Sequence, residues 1–127
     1  MKKTALIRKL IEDEEILMIP VAHDALCARI AEQSGFKAIF TAGYANSAAL
    51  LGMPDVSLLT LTEMVDVASR IADAVSIPVF ADGDTGHGSI ANVIRTVQQF
   101  EKGESQDCLS KTRCIQSDAA TWPESRS

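Results

Sequence analysis

The chain has 127 residues, a formal net charge of -5, 46% hydrophobic residues and 23% charged ones. That apolar content is too high for a disordered acidic tail, and the acidic balance argues against a nucleic-acid binder. Its apolar runs all fall short of the roughly 18 residues that span a bilayer, and the Met-Lys-Lys start lacks a secretory h-region. Three cysteines, Cys27, Cys108 and Cys114, are too few and too scattered for a disulfide framework, which points to a reducing cytoplasm.

The first 103 residues alternate helices and strands. Leu6 to Glu15 has helical spacing, with Leu6, Ile7, Leu10 and Ile11 apolar and charges between them. Ile16 to Val21 reads as a short buried strand that Pro20 helps to end. Asp24 is placed to cap a helix running towards Gly35. Ala38 to Thr41 reads as a second strand. Thr60 stands three residues before Glu63, the capping-box spacing, at the head of a helix whose apolar face is Met64, Val65, Val67, Ala68, Ile71, Ala72 and Val75. Ile77 to Ala81 reads as a third strand, and Ile90 to Phe100 as a helix with Val93, Ile94, Val97 and Phe100 on one side. A leading helix followed by three βα units with short links predicts a parallel α/β fold, either a barrel or a doubly wound sheet. The remaining segment, Glu104 to Ser127, has no hydrophobic period and reads as a polar tail outside the domain of residues 1–103.

Chemistry in parallel α/β folds gathers at the carboxyl ends of strands. Asp82 and Asp84 follow the third strand two residues apart, inside a loop rich in glycine. Facing the same way, their hard carboxylate oxygens would suit Mg²⁺. A polar turn in which the aspartates cap backbone N–H groups explains the same spacing. The glycines Gly83, Gly86 and Gly88 do not have dinucleotide-fingerprint spacing. Thr41 to Ser47 follows the second strand; its small residues could leave backbone N–H groups free for a carboxylate or phosphate, or form a plain connecting loop. Asp55 ends a Gly-Met-Pro-Asp turn, as a helix-approach cap or an active-site acid. Cys27 reads as a small buried hydrophobe rather than a nucleophile.

Four stretches in order resemble the isocitrate lyase/phosphoenolpyruvate mutase superfamily, closest to its 2-methylisocitrate lyase and carboxyphosphonoenolpyruvate mutase group. They are Pro20 to Arg29, Thr41 to Tyr44, Leu51 to Asp55, and Ala81 to Gly88 with Asn92-Val93. The resemblance implies the N-terminal part of a (β/α)₈ TIM barrel, with Mg²⁺ at the strand ends. It places Asp82 and Asp84 as metal ligands, Asp55 as an active-site acid, and Ala42, Gly43 and Tyr44 in the loop that holds a substrate carboxylate. Ala42 departs from the usual Ser, and His87 from the usual aromatic residue. The implied reaction is cleavage of a 2-methylisocitrate-like acid to pyruvate and a second acid. A phosphonomutase and a non-catalytic α/β binding domain are the alternatives. The implied partner is a small carboxylic acid, with a homotetramer for full-length members.

Family members continue past Lys102 into Glu-Asp-Gln and Lys-Arg-Cys-Gly-His segments that this chain lacks. Read one base earlier, the tail permits such a segment in order: Ser110-Lys111 allows Glu, Lys111-Thr112 Asp, Asp118-Ala119 Cys and Ala120-Thr121 His. The expectation is therefore a frame lost just after Lys102, and a chain of poor solubility without lyase turnover.

Overall fold

A computed structural model describes residues 3–13, 15–56, 58–83 and 88–103. Asp84, His87 and the tail, with both of its cysteines, lie outside the described residues.

The element order is α1 (Lys3–Glu12), α2 (Ala25–Gln33), β1 (Ile39–Thr41), α3 (Gly43–Leu51), α4 (Leu61–Ala74), β2 (Val79–Ala81) and α5 (Ile90–Gly103). The strands β1 and β2 are parallel neighbours, with Ile39 opposite Val79 and Thr41 opposite Ala81. Both carboxyl ends therefore lie on one edge of the sheet, where Thr41 and Ala81 hand over to the segments that carry Gly43 and Asp82.

The expected first strand contracts to its last residues. Val21 forms a single parallel bridge to Phe40. The Phe40 N–H donates to the Pro20 carbonyl and the Ala22 N–H to the Phe40 carbonyl, both at 2.9 Å. Pro20 has no N–H to extend that ladder. Ile16, expected to be buried, is 92% exposed, because no described element covers it.

Two predicted caps form as read. Asp24 accepts the Cys27 N–H at 2.7 Å and starts α2. Thr60 and Glu63 close a reciprocal capping box on α4, Glu63 accepting the Thr60 N–H at 2.9 Å. Helix α4 is the centre of the packing. Val67, Ile71, Ala72 and Val75 meet Ala28 of α2, together with Ile39 and Val79 of the strands. Met64 and Ala68 meet Ala81 and Phe100. The C-terminal carbonyls of α4 are satisfied across the fold: Lys3 Nζ donates to the Val75 carbonyl at 2.8 Å and Arg29 Nε to that of Ala74 at 3.3 Å. Two cations thus sit at a helix C-terminus that has no basic residue of its own in the last turn.

Thr41 to Ser47 reads as a connecting loop in sequence, but from Gly43 onward the chain forms helix α3, Gly43–Leu51. Its residues are mostly small and carry no apolar stripe, so helical periodicity is invisible there. Two polar residues anchor it instead. Asn46 is buried and donates to Thr41 Oγ1 at 3.1 Å, tying the helix to the end of β1. Ser47 is buried and its hydroxyl donates to the Pro54 carbonyl at 3.2 Å, folding the following turn back along the helix.

Candidate active site

Those two anchors bring three of the candidate site residues to one point. Gly43 opens α3. Its N–H donates to Asp82 Oδ2 at 3.3 Å, and the Asp82 N–H donates to the Thr41 carbonyl at 3.1 Å. Asp82 is therefore fixed at the end of β2 and reaches sideways to the head of the neighbouring unit. The turn held by Ser47 delivers Asp55 to the same place. A Cβ added to Gly43 would stand 3.0 Å from Asp55 Oδ2 and 3.5 Å from Asp82 Oδ2. The missing side chain of Gly43 is what lets two carboxylates approach one helix N-terminus.

The N-terminus itself is unusual. Ala42 is the N-cap residue and has no side chain to cap with. Asp82, distant in sequence, instead accepts the first amide of the helix, that of Gly43, and leaves the second and third amides, which a Ser or Asp at position 42 would ordinarily cap, to other acceptors. The next amides, those of Tyr44 and Ala45, lie in the first helical turn and have no intrahelical acceptor. Together with the helix dipole they form a natural seat for a carboxylate or phosphate. Tyr44 is 70% exposed beside this seat, so its ring is not part of the core.

The donor set fits a hard divalent cation. Asp55 and Asp82 offer only oxygens, they converge on a cradle that a Cβ would fill, and the first-turn amides of α3 lie next to it. Among the described residues Asp82 is brought together with Asp55; Asp84, the second half of the expected metal pair, lies outside them. Asn46 and Ser47 are not among the candidates that the sequence marks individually, yet they hold the site's geometry. A signal for them exists: two adjacent polar residues directly after a Gly-Tyr-Ala run that follows a strand.

On the far side of the loop, Gly88 has φ +137, and a Cβ there would fall 2.8 Å from Asn92 Oδ1. Asn92 accepts the Ser89 N–H at 3.1 Å and the Ser89 hydroxyl at 2.8 Å. Gly88 and Asn92 thus fix how the chain leaves the loop and enters α5.

The sequence profile of the phosphoenolpyruvate phosphomutase family matches residues 7–105. The chain is 46% identical over 102 residues to 2,3-dimethylmalate lyase of Eubacterium barkeri, covering 80% of this chain and 35% of that one. It is 44% identical over 93 residues to 2-methylisocitrate lyase of Halalkalibacterium halodurans, covering 73% and 31%. Among solved structures, it superposes on a phosphonopyruvate hydrolase complexed with oxalate and Mg²⁺ with a TM-score of 0.77 and 34% identity, covering 83% of this chain and 37% of that one. The chain belongs to the phosphoenolpyruvate phosphomutase family, within the isocitrate lyase superfamily. Its parallel βα units are the N-terminal part of a TIM-barrel fold. It spans about a third of the length of these relatives. No helix among the described residues is long and apolar enough to cross a membrane.

Proposed function

We propose that the chain carries the metal- and carboxylate-binding end of a cytoplasmic Mg²⁺-dependent carbon–carbon lyase that cleaves a 2-methylisocitrate-like acid to pyruvate and a second acid. The observation that carries this reading is the convergence of Asp55 and Asp82 on the Gly43 N-terminus at adjacent strand ends. Asp82 and Asp84 would hold Mg²⁺. The ion, when bound, acts as a Lewis acid towards negative charge developing on a substrate oxygen.

This chain's own residues do the rest of the binding. The first-turn amides of α3, at Tyr44 and Ala45, seat one substrate carboxylate. Because Ala42 brings no hydroxyl, that seat is built from backbone donors and the helix dipole, and it tolerates more than one acid. Asp55, held by the Ser47–Pro54 bond, lies close enough to orient or exchange a proton with a group bound there.

The Glu-Asp-Gln and Lys-Arg-Cys-Gly-His segments are not among its residues, so we expect the 127-residue chain to release no pyruvate. Sequencing the gene through the codons after Lys102 tests the frame proposal, and codons incompatible with the shifted text sink it. With the frame restored, pyruvate release from 2-methylisocitrate in the presence of Mg²⁺ tests the lyase. The name of the matching family favours one second reading, a phosphonomutase. Conversion of phosphonopyruvate or carboxyphosphonoenolpyruvate, with no cleavage of 2-methylisocitrate, would select it.

A further inference from the structure

A second set of donors sits at the head of α2, and the site just described makes no use of it. His23, Asp24 and Cys27 each offer one ligand atom, and these atoms lie within 4.8 Å of one another. His23 Nε2 is 3.3 Å from Asp24 Oδ2 and 3.8 Å from Cys27 Sγ.

The arrangement has two readings, a proton relay or a common centre. A relay of the Asp–His–Cys kind uses both ring nitrogens, one for the acid and the other for the thiol. Here the carboxylate and the sulfur both approach Nε2. A neutral imidazole nitrogen either donates one hydrogen or accepts, so it cannot serve both partners as a relay does. Burial and the neighbouring Asp24 carboxylate also hold the Cys27 thiol above its ordinary range, the opposite of an activated nucleophile.

The distances match a common centre. Tetrahedral zinc with Zn–N of about 2.05 Å, Zn–O of about 2.1 Å and Zn–S of about 2.3 Å gives an N···O edge of about 3.4 Å and an N···S edge of about 3.6 Å. The observed edges are 3.3 and 3.8 Å. Asp24 Oδ1 is occupied as the cap of α2, which leaves Oδ2 facing His23 Nε2. The cap thereby fixes the carboxylate, and the first helical turn fixes Cys27 three residues on. Half the surface of the Asp24 side chain and 41% of that of His23 are exposed, so an ion has an entry path. A thiolate and a carboxylate would neutralise a divalent cation, so the complex adds no net positive charge at the helix N-terminus.

We propose that His23, Asp24 and Cys27 form a binding site for a borderline-soft divalent cation of the Zn²⁺ type, with a fourth position open to solvent. Nitrogen and sulfur donors exclude Mg²⁺ as its natural occupant, so the site is chemically separate from the carboxylate pair at Gly43. Bound metal would clamp the segment after Val21 to the first turn of α2.

Titration of the full chain with Co²⁺ tests this, in a background with Cys108→Ser and Cys114→Ser so that Cys27 is the remaining thiol. The expected result is a thiolate-to-cobalt charge-transfer band with the intense visible bands of tetrahedral Co²⁺, both bleached by added Zn²⁺. Cys27→Ser should abolish the charge-transfer band. His23→Gln and Asp24→Asn should each weaken binding by about tenfold or more. Asp24→Asn keeps the helix cap, so lost affinity in that variant, with unchanged far-ultraviolet circular dichroism, reports the lost ligand rather than lost folding. Asp82→Asn should leave the cobalt spectrum unchanged. Absence of the charge-transfer band in the parent, or its persistence in Cys27→Ser, would overturn the proposal.

Discussion

Asp24 caps the helix that begins at the next residue, whereas Asp82 caps a helix that began 39 residues earlier. The first contact is local. It is readable from the spacing of an acidic residue before an apolar helix, and it involves residues only three apart. The second needs β1 and β2 already paired, because only their register brings Thr41 and Ala81 level and sets Asp82 beside Gly43. The surroundings differ as well. Asp24 shares its neighbourhood with a nitrogen and a sulfur donor, Asp82 with a second carboxylate and a row of amides. On the readings proposed above, two aspartates that each accept a first-turn amide would take different ions, according to what stands next to them. The comparison also separates stability from function. Losing the local cap should weaken a helix and leave the Gly43 cradle intact, while losing the distant contact should disturb that cradle directly.

Perturbing each side of this contrast should produce effects of very different size. Asp82→Asn removes a carboxylate from the cradle, and we expect Mg²⁺-dependent oxalate binding to fall by about 100-fold or more, measured by calorimetric titration. Gly43→Ala places a methyl group 3.0 Å from Asp55 Oδ2 and forces the carboxylates apart. It should weaken the same binding by about tenfold while leaving the melting temperature nearly unchanged, since Ala is a good helix former.

Asp24→Ala should lower stability by about 1 kcal/mol without touching oxalate binding, read from urea unfolding. The same residue predicts a pH dependence. The Cys27 N–H bond is the main cause that holds the Asp24 carboxyl below its ordinary value. A group with a depressed folded pKa contributes stability that is fully present above its unfolded value and disappears as pH falls through the folded one. Unfolding midpoints of parent and Asp24→Ala should therefore differ at neutral pH and converge in strong acid. The smallest effect belongs to Tyr44→Phe. With its ring exposed, the change should stay within about 0.5 kcal/mol in stability.

The local devices of this fold are legible in the amino-acid sequence. The Asp24 cap, the Thr60–Glu63 box, the apolar face of α4 and the positions of β1 and β2 all follow from spacing within a few residues. What escapes is non-local. Helix α3 carries no side-chain cap at Ala42 and no hydrophobic stripe; it is held by Asp82, Thr41 and Pro54 through single polar contacts. Asp55 and Asp82 are each candidates on sequence alone, yet their meeting at Gly43 depends on the β1–β2 register and on the turn that Ser47 holds. The expected strand at Ile16 to Val21 shows the reverse error. Its composition is right for a strand, but strand pairing requires a partner on the ladder, and among the described residues only Phe40 provides one.

The central claim is that Asp55, Asp82 and the head of α3 form one site for Mg²⁺ and a carboxylate. Calorimetric titration of the chain with oxalate, once with Mg²⁺ and once with a chelator, tests it most directly. Saturable oxalate binding that requires Mg²⁺ and disappears in Asp82→Asn is the predicted result. Equal binding with and without the metal, or binding that survives Asp82→Asn unchanged, would contradict it.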